Sequence, residues 1–318
     1  MAGANLPAKK YKKTTPTQTR LVFEIPAQTT GGYIDLAQAL SAINRRFYRQ
    51  GVYYYVNSFE VQNLEEGYVD LQVAPDTWMT KNAWNRAFAT FQKMNAQSDT
   101  PRPKYHDFKV FLDANHRTDV QGGTNNLMPC GAAGIGGGTT ETIWTDEWQY
   151  AQFVSMVDRT PESTTPNEFN MHVIGGHSGT GPSSYNSVGM IYSYSASRSY
   201  PDPDGEPTLM TGNDDDPLTQ LFQASEVHAI EEISEHLDIS NDQTPYNGDY
   251  YFGSGDKHLV PLRRLQTGAA STGRSHEISG ACVPFGLIRV SSSGYESAWR
   301  LIINVASGTY NGVYAERC

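Results

Sequence analysis

The sequence predicts an all-β protein with inserted helices, and the architecture that fits it best is an antiparallel jelly-roll β-sandwich. Short segments rich in β-branched and aromatic residues occupy both ends of the chain, and helical patterns lie between them. Strands and helices do not alternate as they do in parallel sheets with crossover helices. We therefore expect a flexible basic arm over residues 1–20 and a single sandwich domain with helical and loop insertions over residues 21–318.

Two periodicities define the individual elements. Alternating or strongly β-branched and aromatic segments predict strands at 21–25, 52–62, 68–73, 108–112, 150–157, 169–174, 188–194, 282–290, 299–305 and 310–315. Apolar residues spaced by three and four predict amphipathic helices at 36–47, 80–95 and 217–237. The strands at 52–62 and 68–73 flank a turn at Glu65-Glu66-Gly67, which predicts a β-hairpin.

Charge is distributed unevenly along the chain. The net charge is −10, but the first 20 residues hold five bases and no acid, so the rest of the chain carries −15. Such a basic segment is either a solvated tail or an arm that binds phosphate groups and releases their counterions. A tyrosine among the lysines adds a ring that can stack on a base. The candidate nucleic-acid-binding residues are Lys9, Lys10, Tyr11, Lys12, Lys13 and Arg20.

Three further arginines follow the first helical pattern. Arg45, Arg46 and Arg49 could add to the basic arm, but the dipole at the carboxyl end of a helix explains them without a ligand. They are therefore left out of the candidate interface.

Cysteine usage and hydropathy exclude several classes of protein. Cys130, Cys282 and Cys318 form no CxxC pair and are odd in number, which argues against a disulfide framework and against a zinc site. The sequence has no apolar amino-terminal segment and no apolar run long enough to cross a bilayer. We expect neither a signal peptide nor a membrane span, and synthesis in a reducing compartment.

Motifs of catalysis are not apparent. Gly176-His177-Ser178-Gly179-Thr180 resembles a G-x-S-x-G nucleophile elbow but has threonine in place of the last glycine, so a surface loop is the simpler interpretation. The glycine-rich segment 131–138 lacks the Lys-Ser/Thr of a phosphate-binding loop. No two histidines show the H-x-x-x-H spacing of a metal site. We predict no catalytic residues, no enzyme activity and no cofactor.

An acidic loop is the one candidate for metal binding. Asp202, Asp204 and Glu206 are weak calcium candidates, because closely spaced carboxylates are ligands for hard cations. They do not match the EF-hand pattern, and a solvated acidic loop is the simpler alternative.

The order of several segments carries a family resemblance. A basic arm leads into the first strand over 9–25, and Val73-Ala74-Pro75-Asp76-Thr77-Trp78 leads into an aromatic helix. Further segments follow at 169–174, 187–194 with Ser197-Arg198, 284–289, 299–305 and 310–315. Over most of its length the chain thus resembles the capsid proteins of small circular single-stranded DNA viruses that encode a replication initiator, the CRESS-DNA group.

The resemblance implies a viral coat protein with one jelly-roll domain, in an icosahedral shell of about sixty copies around a circular single-stranded DNA genome. The implied partners are other copies of the chain, single-stranded DNA bound through the amino-terminal arm, and a host receptor. The implied location is the virion, after synthesis in the host cytoplasm and assembly in the nucleus. The chain departs from many members of this group, which have longer arginine-rich arms.

A carbohydrate-binding protein is the main alternative. Lectins also use jelly-roll sandwiches, and Trp144, Trp148 and Trp299 are aromatic residues that could stack on sugar rings. A lectin would be a monomer or a small oligomer, whereas a shell protein would form a megadalton particle.

Overall fold

The structure, a computed structural model, describes residues 16–27, 31–96, 107–121, 126–130, 148–155, 167–180, 184–198, 251–255, 258–268 and 274–317. The chain divides into two compact units, one formed by Met1–Tyr194 with Phe252–Cys318 and the other by Ser195–Tyr251. The predicted helix at 217–237 and the glycine-rich segment 131–138 lie outside the described residues.

Antiparallel strands dominate the described residues. The strands are β1 (Arg20–Ile25), β2 (Gly32–Asp35), β3 (Val52–Asn63), β4 (Gly67–Val73), β5 (Gln152–Ser155), β6 (Asn167–His172), β7 (Ser187–Gly189), β8 (Val260–Thr267), β9 (Arg274–Val283), β10 (Leu287–Ser293), β11 (Trp299–Val305), β12 (Ser307–Tyr310) and β13 (Ala315–Arg317). The helices are α1 (Leu36–Asn44), α2 (Trp78–Ala96), α3 (Ala114–Gln121) and α4 (Met190–Ala196). The prediction of an all-β protein with inserted helices is confirmed.

The strands form three sheets. In the first sheet β1 pairs with β11 and β11 with β3, and β9 and β13 also pair with β3. Val56 pairs with both Val305 of β11 and Ala281 of β9, so these two strands lie on opposite edges of β3. The second sheet has the order β2-β10-β4-β8, and every pair in it is antiparallel. A small third sheet joins β5, β6 and β7.

The core lies between the first two sheets. One buried cluster contains inward-facing residues of both, including Phe23 and Phe59 of the first sheet and Leu71 and Ile288 of the second. Each is fully buried, and burial of a side chain of this size stabilises the fold by roughly 1.5–3 kcal/mol. The alternation predicted for β1, β4 and β11 is therefore the signature of one face buried in this sandwich.

The predicted hairpin at 52–62 and 68–73 is wrong in its pairing, although both strands are present. β3 belongs to the first sheet and β4 to the second, so the turn between them crosses the sandwich. The Glu65 carbonyl accepts a hydrogen bond of 2.7 Å from Thr267 Oγ1, and its carboxylate accepts one of 3.1 Å from the Ser297 amide. These distant partners, which the local sequence does not reveal, hold the turn at the end of the sandwich.

Two predicted strands are interrupted by left-handed backbone. The segment 282–290 is split at Phe285 (φ 58°) and Gly286 (φ 73°), so β9 and β10 lie in different sheets. The segment 310–315 is split in the same way at Asn311 and Gly312. Positive φ is uncommon for a residue other than glycine, and Phe285 is held there by stacking on Trp84 at 4.4 Å.

Two further strand predictions need correction. Of the segment 188–194 only the first two residues belong to a strand, β7 (Ser187–Gly189), because the chain then enters α4. Met190, Ile191 and Tyr194 are buried and Tyr192 is exposed, which is helical spacing that the aromatic composition concealed. Residues 108–112 form only an isolated bridge at Phe111. Strands β2 and β8 and helix α3 were not predicted.

The open edge of β9 is covered by a side chain. Among the described residues β9 pairs with β3 on one edge and with no strand on the other. Arg263 of β8 reaches across from the second sheet and donates hydrogen bonds to the carbonyls of Ser279 (3.3 Å) and Gly280 (3.0 Å). The guanidinium therefore occupies backbone acceptors that an edge strand would otherwise offer to another chain.

Candidate nucleic-acid interface

The root of the amino-terminal arm is fixed against the sandwich. Thr17 Oγ1 donates a hydrogen bond of 3.0 Å to the Asn311 carbonyl. The Asn44 side chain accepts from the Gln18 amide (2.7 Å) and donates to the Gln18 carbonyl (3.0 Å), as a neighbouring strand would. The Val305 amide donates to the Thr19 carbonyl at 2.9 Å. Residues 1–15 are therefore joined to the sandwich at this root.

The structure places one of the six candidate residues. Arg20 begins β1, its side chain is 57% exposed, and its guanidinium lies 3.9 Å from the Glu60 carboxylate. An exposed ion pair at this distance holds the guanidinium weakly, so Arg20 can exchange its partner for a phosphate. The other five, Lys9, Lys10, Tyr11, Lys12 and Lys13, lie outside the described residues.

Two arginines that the sequence analysis set aside lie beside the arm root. Helix α1 ends at Asn44, and Arg45 adopts a left-handed conformation (φ 50°) as its carboxyl cap. Arg46 Nη1 donates to Thr17 Oγ1 at 3.1 Å. Arg45 is exposed and forms no ion pair with any residue that the structure describes. The helix dipole therefore does not fully explain the positions of Arg45 and Arg46, because the chain turns back after α1 and brings both residues to the arm root.

The outer face of the first sheet is not a general phosphate surface. The strand register places Glu24, Glu60 and Glu277 on this face together with Arg20 and Arg300. Arg300 lies 3.7 Å from Glu24, so the charges on this face are mixed. At the arm root, by contrast, Arg45 forms no ion pair with a described residue.

A serine–histidine contact exists, but not at the predicted loop. His172 Nδ1 lies 2.8 Å from Ser187 Oγ, and His172 Nε2 lies 2.8 Å from the Gly176 carbonyl. Both side chains are fully buried, so no substrate can reach the serine. The contact joins β6 to β7 and is structural. Ser178, the candidate from the elbow-like loop, pairs with Ser187 through its backbone only.

A buried polar network lies where β2 meets α1. The fully buried Asp35 carboxylate accepts hydrogen bonds from the amides of Ala37 (2.9 Å) and Gln38 (3.2 Å) and caps α1. It also accepts from Gln50 Nε2 (2.6 Å) and Trp148 Nε1 (3.2 Å). Burial raises the pKa of Asp35 to about 6, although all four hydrogen bonds favour its charged form.

A lysine shares this buried environment. Lys109 is 2% exposed, and its ammonium lies 4.3 Å from a ring centre of Trp148 and 5.5 Å from that of Phe47. Burial lowers the pKa of Lys109, and the charge of Asp35 opposes this shift. The network is closed to solvent and ties residues 107–112 and 148–151 to the sandwich. Sequence analysis missed it, although an aspartate before an apolar helix is a recognisable amino-terminal cap.

Three exposed aromatic side chains lie on segments that contact one another outside the sandwich, where Trp78 of α2 meets Tyr194 of α4 with ring centres 6.5 Å apart. Trp78, Tyr192 and Phe252 are 40%, 43% and 45% exposed, and together they are called the aromatic patch. Gly253, which follows Phe252, packs so closely on Ile191 that an added Cβ would lie 2.5 Å from its Cδ1 and 3.4 Å from Pro75 Cγ. Exposed aromatic residues are enriched at protein contact surfaces.

No group of three metal-binding side chains occurs within the described part of the chain, and Asp202, Asp204 and Glu206 lie outside it. The helices that the structure describes include none with the length and apolar character needed to cross a bilayer. Comparisons with family models, with curated proteins and with solved structures gave no match.

Proposed function

We propose that this chain is the coat subunit of a small icosahedral virus, a jelly roll that assembles with copies of itself around circular single-stranded DNA. The strand pairing of the sandwich carries the proposal, and the arm root and the aromatic patch support its two activities, DNA binding and self-association.

The pairing follows one scheme. β1 pairs with β11, β2 with β10, β3 with β9 and β4 with β8, so the first four strands meet the last four in reverse order. Successive strands alternate between the two sheets, except at the connection from β4 to β8. A long antiparallel ribbon rolled up in this way gives the two Greek keys of a jelly roll. All other helices and strands between β4 and β8 are then one large insertion.

Viral shells and lectins share this architecture, so the choice between them depends on surfaces. Trp148 is 8% exposed and Trp299 is 1% exposed, so neither presents a ring face to a sugar. Trp144 lies outside the described residues. The aromatic patch instead presents separate exposed side chains on the insertion, which suits a contact with another protein. The arm with its flanking arginines suits phosphate.

We expect the purified protein to form megadalton particles in size-exclusion chromatography and negative-stain microscopy, and Trp78→Asp to prevent their formation. Trp78 is the first residue of α2, where a carboxylate favours the helix dipole, so this variant should stay folded. Leu64→Asp is the matched control, because Leu64 is 74% exposed in the turn after β3 and should tolerate the charge. A chain that stays monomeric at high concentration would contradict the proposal.

Replacing Lys12 and Lys13 by glutamine is expected to weaken binding of single-stranded DNA and to reduce its dependence on salt. Each lost phosphate contact lowers the slope of log K against log salt by about 0.7, so the slope should fall by about 1.4. Fluorescence anisotropy of a labelled oligonucleotide at several salt concentrations measures both quantities. The matched control replaces Lys81 and Lys93 of α2 by glutamine. Equal effects of the two pairs would show that the arm is not the binding segment.

A further inference from the structure

A cleft lies between α2, the start of β3 and the carboxyl-terminal strand β13. Its volume is about 410 Å³, within the roughly 300–1,000 Å³ of small-molecule sites. All of its described lining residues belong to one subunit and to the larger of the two units. Its described lining residues include none of the residues named at the arm root or in the aromatic patch.

Aromatic rings form the floor of the cleft. Phe108 packs against Trp84 with ring centres 4.9 Å apart and against Phe88 at 5.7 Å. Gly51 has a left-handed backbone (φ 78°) and lies directly on the Trp84 ring, where a Cβ would come within 2.5 Å. Trp84 and Phe108 are buried, and Phe88 is only partly buried, so part of the Phe88 side chain is accessible from the cleft.

Two guanidiniums line the side of the cleft formed by the strands. Arg317 of β13 pairs in register with Val52 of β3, and both line the cleft. Arg317 is exposed and forms no ion pair with any described residue. Arg49 precedes β3, is 61% exposed and lies 2.8 Å from Asp107. This side therefore holds one compensated and one uncompensated cation, which favours an anion.

Amide side chains line the opposite side. Asn85, Phe88 and Gln92 are three and four residues apart on α2, so they share one helix face, and all three line the cleft. Carboxamides both donate and accept hydrogen bonds, as the edge of a nucleobase does.

We propose that this cleft binds one nucleotide, with its base on the aromatic floor beside Asn85 and Gln92 and its phosphate beside Arg317 and Arg49. A ligand that contacts all three sides of the cleft needs a flat ring, a hydrogen-bonding edge and an anionic end. A nucleotide has all three, and the volume of the cleft suits a single nucleotide. Base stacking on aromatic rings with arginine at the phosphate is a general mode of single-strand recognition. The ligand is either a free nucleotide or one residue of a DNA strand. Every described lining residue belongs to one subunit, so the inference does not depend on shell assembly.

The test measures binding of deoxyadenosine monophosphate, of a short oligo(dA) and of inorganic phosphate to the full chain by calorimetry. Arg317→Gln removes the uncompensated cation and leaves the backbone pairing of β13 intact. Phe88→Leu removes the ring but keeps an apolar side chain of similar size. Arg300→Gln is the matched control, because Arg300 is 58% exposed and lies on the outer face of the first sheet.

We expect each cleft variant to weaken nucleotide binding by about tenfold or more and Arg300→Gln to leave it unchanged. Circular dichroism should show that all variants are folded. Binding of the monophosphate alone identifies a free nucleotide, and binding of the oligonucleotide with competition by the monophosphate identifies a strand; either result supports the inference. Absence of nucleotide binding, equal binding of inorganic phosphate, or an equal loss in Arg300→Gln overturns it. Particle formation is measured on the same preparations, so failure of the shell proposal is a separate result.

Discussion

Replacing Asp35 by alanine is expected to lower the free energy of unfolding by about 3–5 kcal/mol near pH 4, the largest effect of any single polar substitution considered. The change leaves four buried donors without their acceptor, among them Gln50 Nε2 and Trp148 Nε1. It also removes the cap of α1 and the carboxyl group near the buried Lys109. Urea unfolding of the unassembled protein, followed by tryptophan fluorescence, measures this free energy.

The cost of Asp35→Ala should decrease as the pH rises. Burial raises the pKa of Asp35 to about 6 in the folded protein, from an ordinary value of 3.8. The stability that Asp35 contributes is therefore complete below about pH 4 and is lost as the pH rises through 6, by up to about 3 kcal/mol. Asp70→Ala is the control, because Asp70 forms a surface pair with Arg264 (2.6 Å) and should cost about 1 kcal/mol or less. If Asp35→Ala and Asp70→Ala lowered the free energy of unfolding equally, the stabilising role of the buried Asp35 network would be contradicted.

The second large effect is expected for Gly280→Ala, at about 3 kcal/mol of lost stability. An added Cβ at Gly280 would overlap the Val56 carbonyl of the neighbouring strand, so β9 must move away from β3. Gly176→Ala is the control, because nothing lies within 4 Å of a Cβ at that position. Thermal unfolding of both variants gives the comparison. If Gly280→Ala left the stability unchanged, β9 and β3 would be farther apart at this position than the structure shows.

Some elements could be predicted from the local sequence alone, whereas others depend on contacts between residues that are distant in the sequence. β1, β11 and the helices α1 and α2 follow from local periodicity, because one face of each is buried. The failure at 282–290 has a different cause. Its composition is that of one strand, but a left-handed turn at Phe285 divides it, and the contact of Phe285 with Trp84 at this turn joins residues that are distant in the sequence.

The candidate nucleic-acid interface could likewise be predicted only in the part that depends on local sequence. The basic arm is visible in the sequence as a run of lysines, whereas its root depends on Gln18 meeting Asn44 and Thr17 meeting Asn311, which only the fold brings together. Arg46 could not be assigned to the arm for this reason. The cleft beside α2 was missed because its walls come from four separate segments. The position of Lys109 within the apolar segment FKVFL did indicate the buried network, since a buried charged residue needs a partner.

The guanidinium of Arg263 on the edge of β9 has a consequence for how crowded subunits behave. Copies at high local concentration risk joining edge to edge and growing into fibrils, since exposed strand edges accept another strand without regard to sequence. The hydrogen bonds of Arg263 to the Ser279 and Gly280 carbonyls hinder that route near the middle of β9. In the shell proposed above, subunits would then associate through side-chain surfaces, and closed symmetry would end their growth.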